Sequence, residues 1–199
     1  MMKKHTETLF LLIALIFISF SAIAQNELKM DIDFDGVTDT IFIDTEKSTI
    51  VCLLSSKNFK RVESNPIEIL NPQSRITDAR NGFYFENEWM TAGYSNQFRY
   101  DKKLKRIRLI GMSRYEFGNA ANDGSGESSV NLLTGDYLGN WNYYDNWKEE
   151  LIKIPEIKTK MHFNKIYLEN FEEEVYFDFA TKCSKLYYRY REIVRNKRK

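Results

Sequence analysis

The chain has 199 residues, 43% hydrophobic and 29% charged, and its 29 basic and 28 acidic side chains leave a formal net charge of +1. That balance excludes recognition of a charged polymer by bulk charge, and the length suits one domain with an ordinary core. Of the two histidines only His162 lies beyond the first few residues, so a multi-histidine metal centre and a histidine-based triad are both hard to assemble.

Residues Met1 to Ala24 read as a secretory signal. Lys3, Lys4 and His5 precede the apolar stretch Leu9 to Ile18, and Ser21-Ala22-Ile23-Ala24 forms an A-x-A cleavage site before Gln25. The apolar stretch is shorter than the roughly 20 residues of a membrane span, and no stop-transfer segment follows. The expected product is a periplasmic or secreted chain, Gln25 to Lys199, with no transmembrane segment after cleavage. Without Lys3, Lys4 and Glu7 its basic and acidic residues balance at 27 each. Export also argues against a nucleic-acid partner.

The densest chemical signal follows at once. Asp31-Ile32-Asp33-Phe34-Asp35-Gly36-Val37-Thr38-Asp39 holds four carboxylates that would repel one another on a plain strand, but that converge if the backbone curls around a cation with Gly36 at the sharp turn. Asp31, Asp33 and Asp35 then supply side-chain oxygens, Val37 its carbonyl, and Asp39 closes the site. Hard oxygen donors favour one structural Ca2+, with a dissociation constant of about 0.1 to 1 mM, as in extracellular modules. The twelfth position is Phe42 rather than Glu, so the loop is not an EF-hand. D-x-D-x-D-G-x-x-D running into an apolar strand resembles the calcium loops of integrin-type FG-GAP repeats.

Downstream, Thr40 to Asp44 and Thr49 to Ser55 read as strands joined by a turn at Glu46-Lys47-Ser48. Gly82 to Glu86, Gln97 to Asp101 and Arg106 to Gly111 follow, the last two as a hairpin across Asp101 to Leu104. The Gly- and Asn-rich segment Gly118 to Gly126 predicts a mobile exposed loop. Strands are expected at Ser128 to Leu133, Tyr137 to Tyr144 and Met161 to Leu168. From about Phe171, apolar residues at Val175, Phe179, Cys183, Leu186, Tyr187, Tyr190, Ile193 and Val194 recur at helical spacing. The expected architecture is therefore mainly β, with antiparallel sheets as a propeller-like array or a sandwich, closed by a C-terminal amphipathic helix. No long internal repeat is evident. Cys52 and Cys183 are free to pair in an oxidising compartment or to sit apart as core thiols. Lys182 to Lys199 carries eight basic residues against Glu192, as expected for the solvated face of a terminal helix.

The order of features from Met30 to Gly139 carries a resemblance: the acidic loop with its strand, Phe98-Arg99-Tyr100-Asp101, Arg106-Ile107-Arg108-Leu109-Ile110-Gly111, then a loop and Ser129-Val130-Asn131-Leu132-Leu133-Thr134-Gly135. In this the chain resembles bacterial periplasmic calcium-binding β proteins akin to invertebrate-type lysozyme inhibitors, some of which act as immunity proteins against peptidoglycan-hydrolysing toxins. The resemblance implies an inhibitor of a lysozyme-like hydrolase, in which a loop enters the enzyme cleft. Ser125-Gly126 matches the Ser-Gly portion of that loop, although Ser128 stands where the pattern has tyrosine; by expected exposure and polarity alone, Asn122, Asp123 and Ser125 are the candidate contacts.

A second reading comes from Trp141, Tyr143, Tyr144 and Trp147, interleaved with Asn140, Asn142, Asp145 and Asn146. Flat rings among amides suit stacking on an envelope glycan or peptidoglycan. An enzyme is not expected, since G-x-S-x-G, a P-loop and H-E-x-x-H are absent.

Overall fold

The computed structural model describes residues 27–198, so the expected leader, Met1 to Ala24, lies outside the described residues. Four strands form a first antiparallel sheet in chain order: β1 (Glu27–Met30), β2 (Asp39–Asp44), β3 (Thr49–Leu53) and β4 (Arg61–Glu63). Eight form a second: β5 (Arg75–Ala79), β6 (Gly82–Glu88), β7 (Ala92–Asp101), β8 (Arg106–Glu116), β9 (Gly126–Asn131), β10 (Asp136–Asp145), β11 (Glu150–Lys153) and β12 (Ile157–Lys160). Each of β5 to β10 pairs antiparallel with the next. β11 and β12 lie end to end along one edge of β10, Asn142 opposite Lys153 and Gly139 opposite Ile157. Among the described residues no closed barrel forms, and the arrangement is that of a sandwich with helix α1 (Glu174–Lys197).

Alternation decides which face of the large sheet is buried. On β7, Tyr94, Asn96, Phe98 and Tyr100 point inward while Ser95, Gln97, Arg99 and Asp101 point out. On β8 the inward set is Ile107, Leu109, Met112 and Arg114. The step from Leu109 to Met112 spans a β-bulge, with Gln97 opposite Gly111 but Phe98 opposite Leu109. α1 covers the inner face through Tyr176, Phe179, Cys183 and Tyr187, spaced three or four apart. Tyr176 stacks on Tyr94 with ring centroids 3.9 Å apart, and Tyr187 meets Trp141 edge-on at 6.1 Å. Ile41, Ile50 and Cys52 of the small sheet, with Ile32 and Leu54 of its adjoining loops, belong to the same core cluster.

One turn device recurs at four hairpins. The last strand residue is Asp44, Asp101, Asn131 or Asp145, and its Oδ1 accepts the N–H groups two and three residues on, at 3.0 to 3.3 Å for Asp101 and Asp145. The residue four places on, Ser48, Lys105, Gly135 or Glu149, has a left-handed backbone with φ between 50° and 76°. The side chain thus satisfies the turn's orphan donors, and the left-handed residue returns the chain into the partner strand.

Two expectations need correction, and the choice left open for the cysteines is resolved. The last strand is Ile157–Lys160, not Met161 to Leu168. The latter stretch runs beside β8 with little regular structure, Leu109 N–H donating to the Ile166 carbonyl at 3.0 Å, before a 3-10 turn at Leu168–Asn170. Its buried and half-buried residues Met161, Phe163, Ile166 and Leu168 do not alternate strictly, so no single sheet face takes them. The helix begins at Glu174 rather than Phe171, and Glu173 before it accepts N–H bonds from Glu68 (3.1 Å) and Ile69 (3.2 Å). Cys52 and Cys183 are separate buried thiols, the second 3.3 Å from the Ser128 hydroxyl.

Candidate metal centre

The acidic loop joins β1 to β2 at the edge of the small sheet. Phe34 (φ 65°) and Gly36 (φ 88°) take the left-handed conformation that curls it. The curl turns three successive N–H groups onto Asp31, those of Phe34 (2.7 Å), Asp35 (3.2 Å) and Gly36 (3.0 Å). Asp39, the first residue of β2, is fully buried. It accepts N–H bonds from Ile32 (2.9 Å), Asp33 (3.3 Å) and Ser55 (2.7 Å), so it fastens both ends of the loop to the second residue after β3.

Carboxylate oxygens of Asp31, Asp33 and Asp39 lie within 4.8 Å of one another. Asp33 is 7% exposed. Its Oδ2 accepts from the Ser56 hydroxyl, whereas its Oδ1 is shut off from solvent and has no hydrogen-bond partner. Among the described residues, no Lys, Arg or His forms an ion pair with any of these three carboxylates. Close carboxylates with an orphaned, buried oxygen and no cation beside them are the arrangement that a hard metal ion completes. The negative field reaches further: burial first, and the Asp39 carboxylate second, hold the Cys52 thiol well above its ordinary range.

One of the five expected ligands, Asp35, stands apart from this group. The Asp35 carboxylate accepts the Val37 N–H at 2.8 Å and the Ser55 hydroxyl at 2.7 Å. The Val37 side chain is half-exposed. Sequence reasoning missed Ser55 and Ser56. They form the floor of the site from a 3-10 turn some twenty residues downstream, and a Ser-Ser pair after an apolar strand carries no local sign of that role.

The residues expected to contact a hydrolase divide into an exposed tip and an anchored base. Gly118, Asn119, Ala120 and Asn122 are exposed. Asp123 Oδ1 accepts the Tyr144 N–H at 2.8 Å, Ser125 bonds to Asn142 through its carbonyl and its hydroxyl, and Gly126 already belongs to β9. A Cβ at Gly126 would lie 2.2 Å from the Asn140 carbonyl oxygen, which explains the glycine there without a role in binding.

The four aromatic residues weighed for glycan stacking do not form a platform. Trp141 and Tyr143 are each 2% exposed because alternation along β10 turns them into the core. The Trp141 indole N–H donates to the Tyr137 hydroxyl at 3.3 Å. Tyr144 points to the opposite face, and Trp147 stands 95% exposed in the turn beyond. No protein-family model, curated protein or solved structure matches this chain.

Proposed function

We propose that the chain is an exported calcium-binding β protein that inhibits, or gives immunity against, a lysozyme-like peptidoglycan hydrolase. The calcium reading rests on one observation above all, the buried Asp33 Oδ1 that lacks any hydrogen-bond partner beside Asp31 and Asp39. Asp31, Asp33 and Asp39 would hold the ion, and the neighbouring Asp35 and the Val37 carbonyl complete the set after a small rearrangement. Bound Ca2+ supplies positive charge that offsets the mutual repulsion of the carboxylates, and so ties β1, β2 and the Ser55 turn together. The ion's role in this reading is structural.

The inhibitor part is supported by the resemblance in motif order and by the exposed tip from Gly118 to Asn122, whose base is hydrogen-bonded to β10. A tip on a rigid base enters a cleft with little loss of conformational freedom. The test is peptidoglycan lysis by a panel of lysozymes in millimolar calcium and again in EDTA, with the parent chain and with Asn122→Ala. Inhibition that weakens in EDTA and with N122A is the expected result. Full lysis by every enzyme with a calcium-loaded chain present would overturn the inhibitor reading and leave the metal site standing.

A further inference from the structure

The outer face of the large sheet, turned away from α1, carries an uncompensated group of arginines. Arg99 on β7 stands directly opposite Arg108 on β8 in the strand register, and like charges so placed repel. Arg80, in the turn between β5 and β6, joins them through the shared lining of two adjoining depressions. Among the described residues no carboxylate lies within ion-pair distance of Arg80, Arg99 or Arg108. The nearby acids are otherwise engaged. Glu86 and Glu88 are held by Arg75, and Asp101 accepts the N–H groups of Lys103 and Leu104. Arg108 Nε is shielded from solvent without a hydrogen-bond partner. That atom is out of an external ligand's reach, so it is the remaining N–H groups of Arg108, beside the Arg99 guanidinium and without a carboxylate partner, that an anion from outside the chain would match.

The surroundings indicate what bears the anion. The depressions, about 490 and 590 Å3, share Asn81, Arg99, Ile110 and Leu133, and so make one open groove across β6 to β9. The β-bulge at Gln97 and the missing side chain of Gly111 lower its floor. Its walls present amides and hydroxyls from Gln97, Ser113 and Asn131, and the ring of Tyr84. Arginines match planar carboxylates through paired N–H donors, amides and hydroxyls match sugar hydroxyls, and a shallow elongated groove fits several linked rings rather than a single ion. We propose that this groove binds a carboxylate-bearing oligosaccharide, the carboxylate seated between Arg99 and Arg108.

The groove requires neither a bound ion nor the tip from Gly118 to Asn122, although Phe34 of the acidic loop lines one end of it. Calorimetric titration of the full mature chain with tetragalacturonate, with neutral chitotetraose and with polyglutamate tests it, alongside Arg99→Gln and Arg108→Gln. Both substitutions lie on the outward face, and unchanged melting curves establish that the variants are folded. The uronate is expected to bind at low salt, with affinity falling about tenfold in each variant, the usual weight of a charged hydrogen bond. Chitotetraose is expected to bind more weakly than the uronate. Absence of uronate binding, or binding unaffected by both substitutions, would overturn the proposal. Arg99-dependent binding of polyglutamate without binding of the uronate would overturn it in favour of an acidic polypeptide.

Discussion

Asp33 shows how much one atom can decide. Its Oδ1 is buried without a donor, while Asp39, more deeply buried, has its carboxylate met by three N–H groups. A charge left unmatched in the interior destabilises unless something pairs it. Asp33→Ala should therefore abolish the rise in melting temperature that calcium gives the parent, and calorimetric scans with and without EDTA check this. Equal responses in parent and variant would remove the site. The convergence of Asp31, Asp33 and Asp39 was legible because carboxylates at alternate positions come together where the chain curls at a glycine, whereas Ser55 and Ser56 are brought there only by the return of β3. Trp141 makes the complementary point. Identity alone leaves a tryptophan's side of the strand open, and alternation with Tyr137 and Tyr143 turns it inward. Trp141→Ala should cost about 3 to 5 kcal/mol in urea unfolding, as for other buried tryptophans. Trp147→Ala should stay within about 0.5 kcal/mol of the parent.

At the scale of elements, the hairpin turn is the unit that builds this protein. Four times a strand ends in Asp or Asn, whose carboxylate or amide oxygen caps the turn, and four residues later the chain passes through a left-handed residue. At three of those positions the left-handed residue is Ser48, Lys105 or Glu149 rather than glycine, which carries a strain of about 1 kcal/mol for an L-residue. Lys105→Gly should accordingly raise stability by up to about 1 kcal/mol, read as a higher urea midpoint with unchanged slope. A lower midpoint would mean that the Lys105 side chain contributes more than its backbone strain. The turn after Asp101 and the strands flanking it were legible, since β-branched and aromatic residues alternate around an Asp. Short strands such as β4, β5, β11 and β12 were not, because three to five residues carry too few alternations to stand out from a loop. They form because a neighbouring strand offers its edge.

At the scale of the whole molecule, a single cluster of buried residues runs from Ile32 in the metal loop, through both sheets, to Tyr187 on α1. A continuous core gives no seam along which one part can melt alone. Urea unfolding should therefore show one transition, coincident by tryptophan fluorescence and far-ultraviolet circular dichroism. Calcium at about 5 mM should add about 1 to 2 kcal/mol if the dissociation constant lies near 0.1 to 1 mM. Two separated transitions would mean that the small sheet folds independently. What the sequence determined by itself was local: the curl of the acidic loop, the longer alternating strands, the capped turns and the stripe of the terminal helix, all set by residues within a few positions of one another. Only the tertiary structure decided that Asp35 turns to Ser55 while Asp33 stays unpaired, that Trp141 lies in the core, and that Arg99 faces Arg108. Those outcomes depend on strand register and on which face the helix covers, and both are fixed by burying one common core between elements distant in the chain.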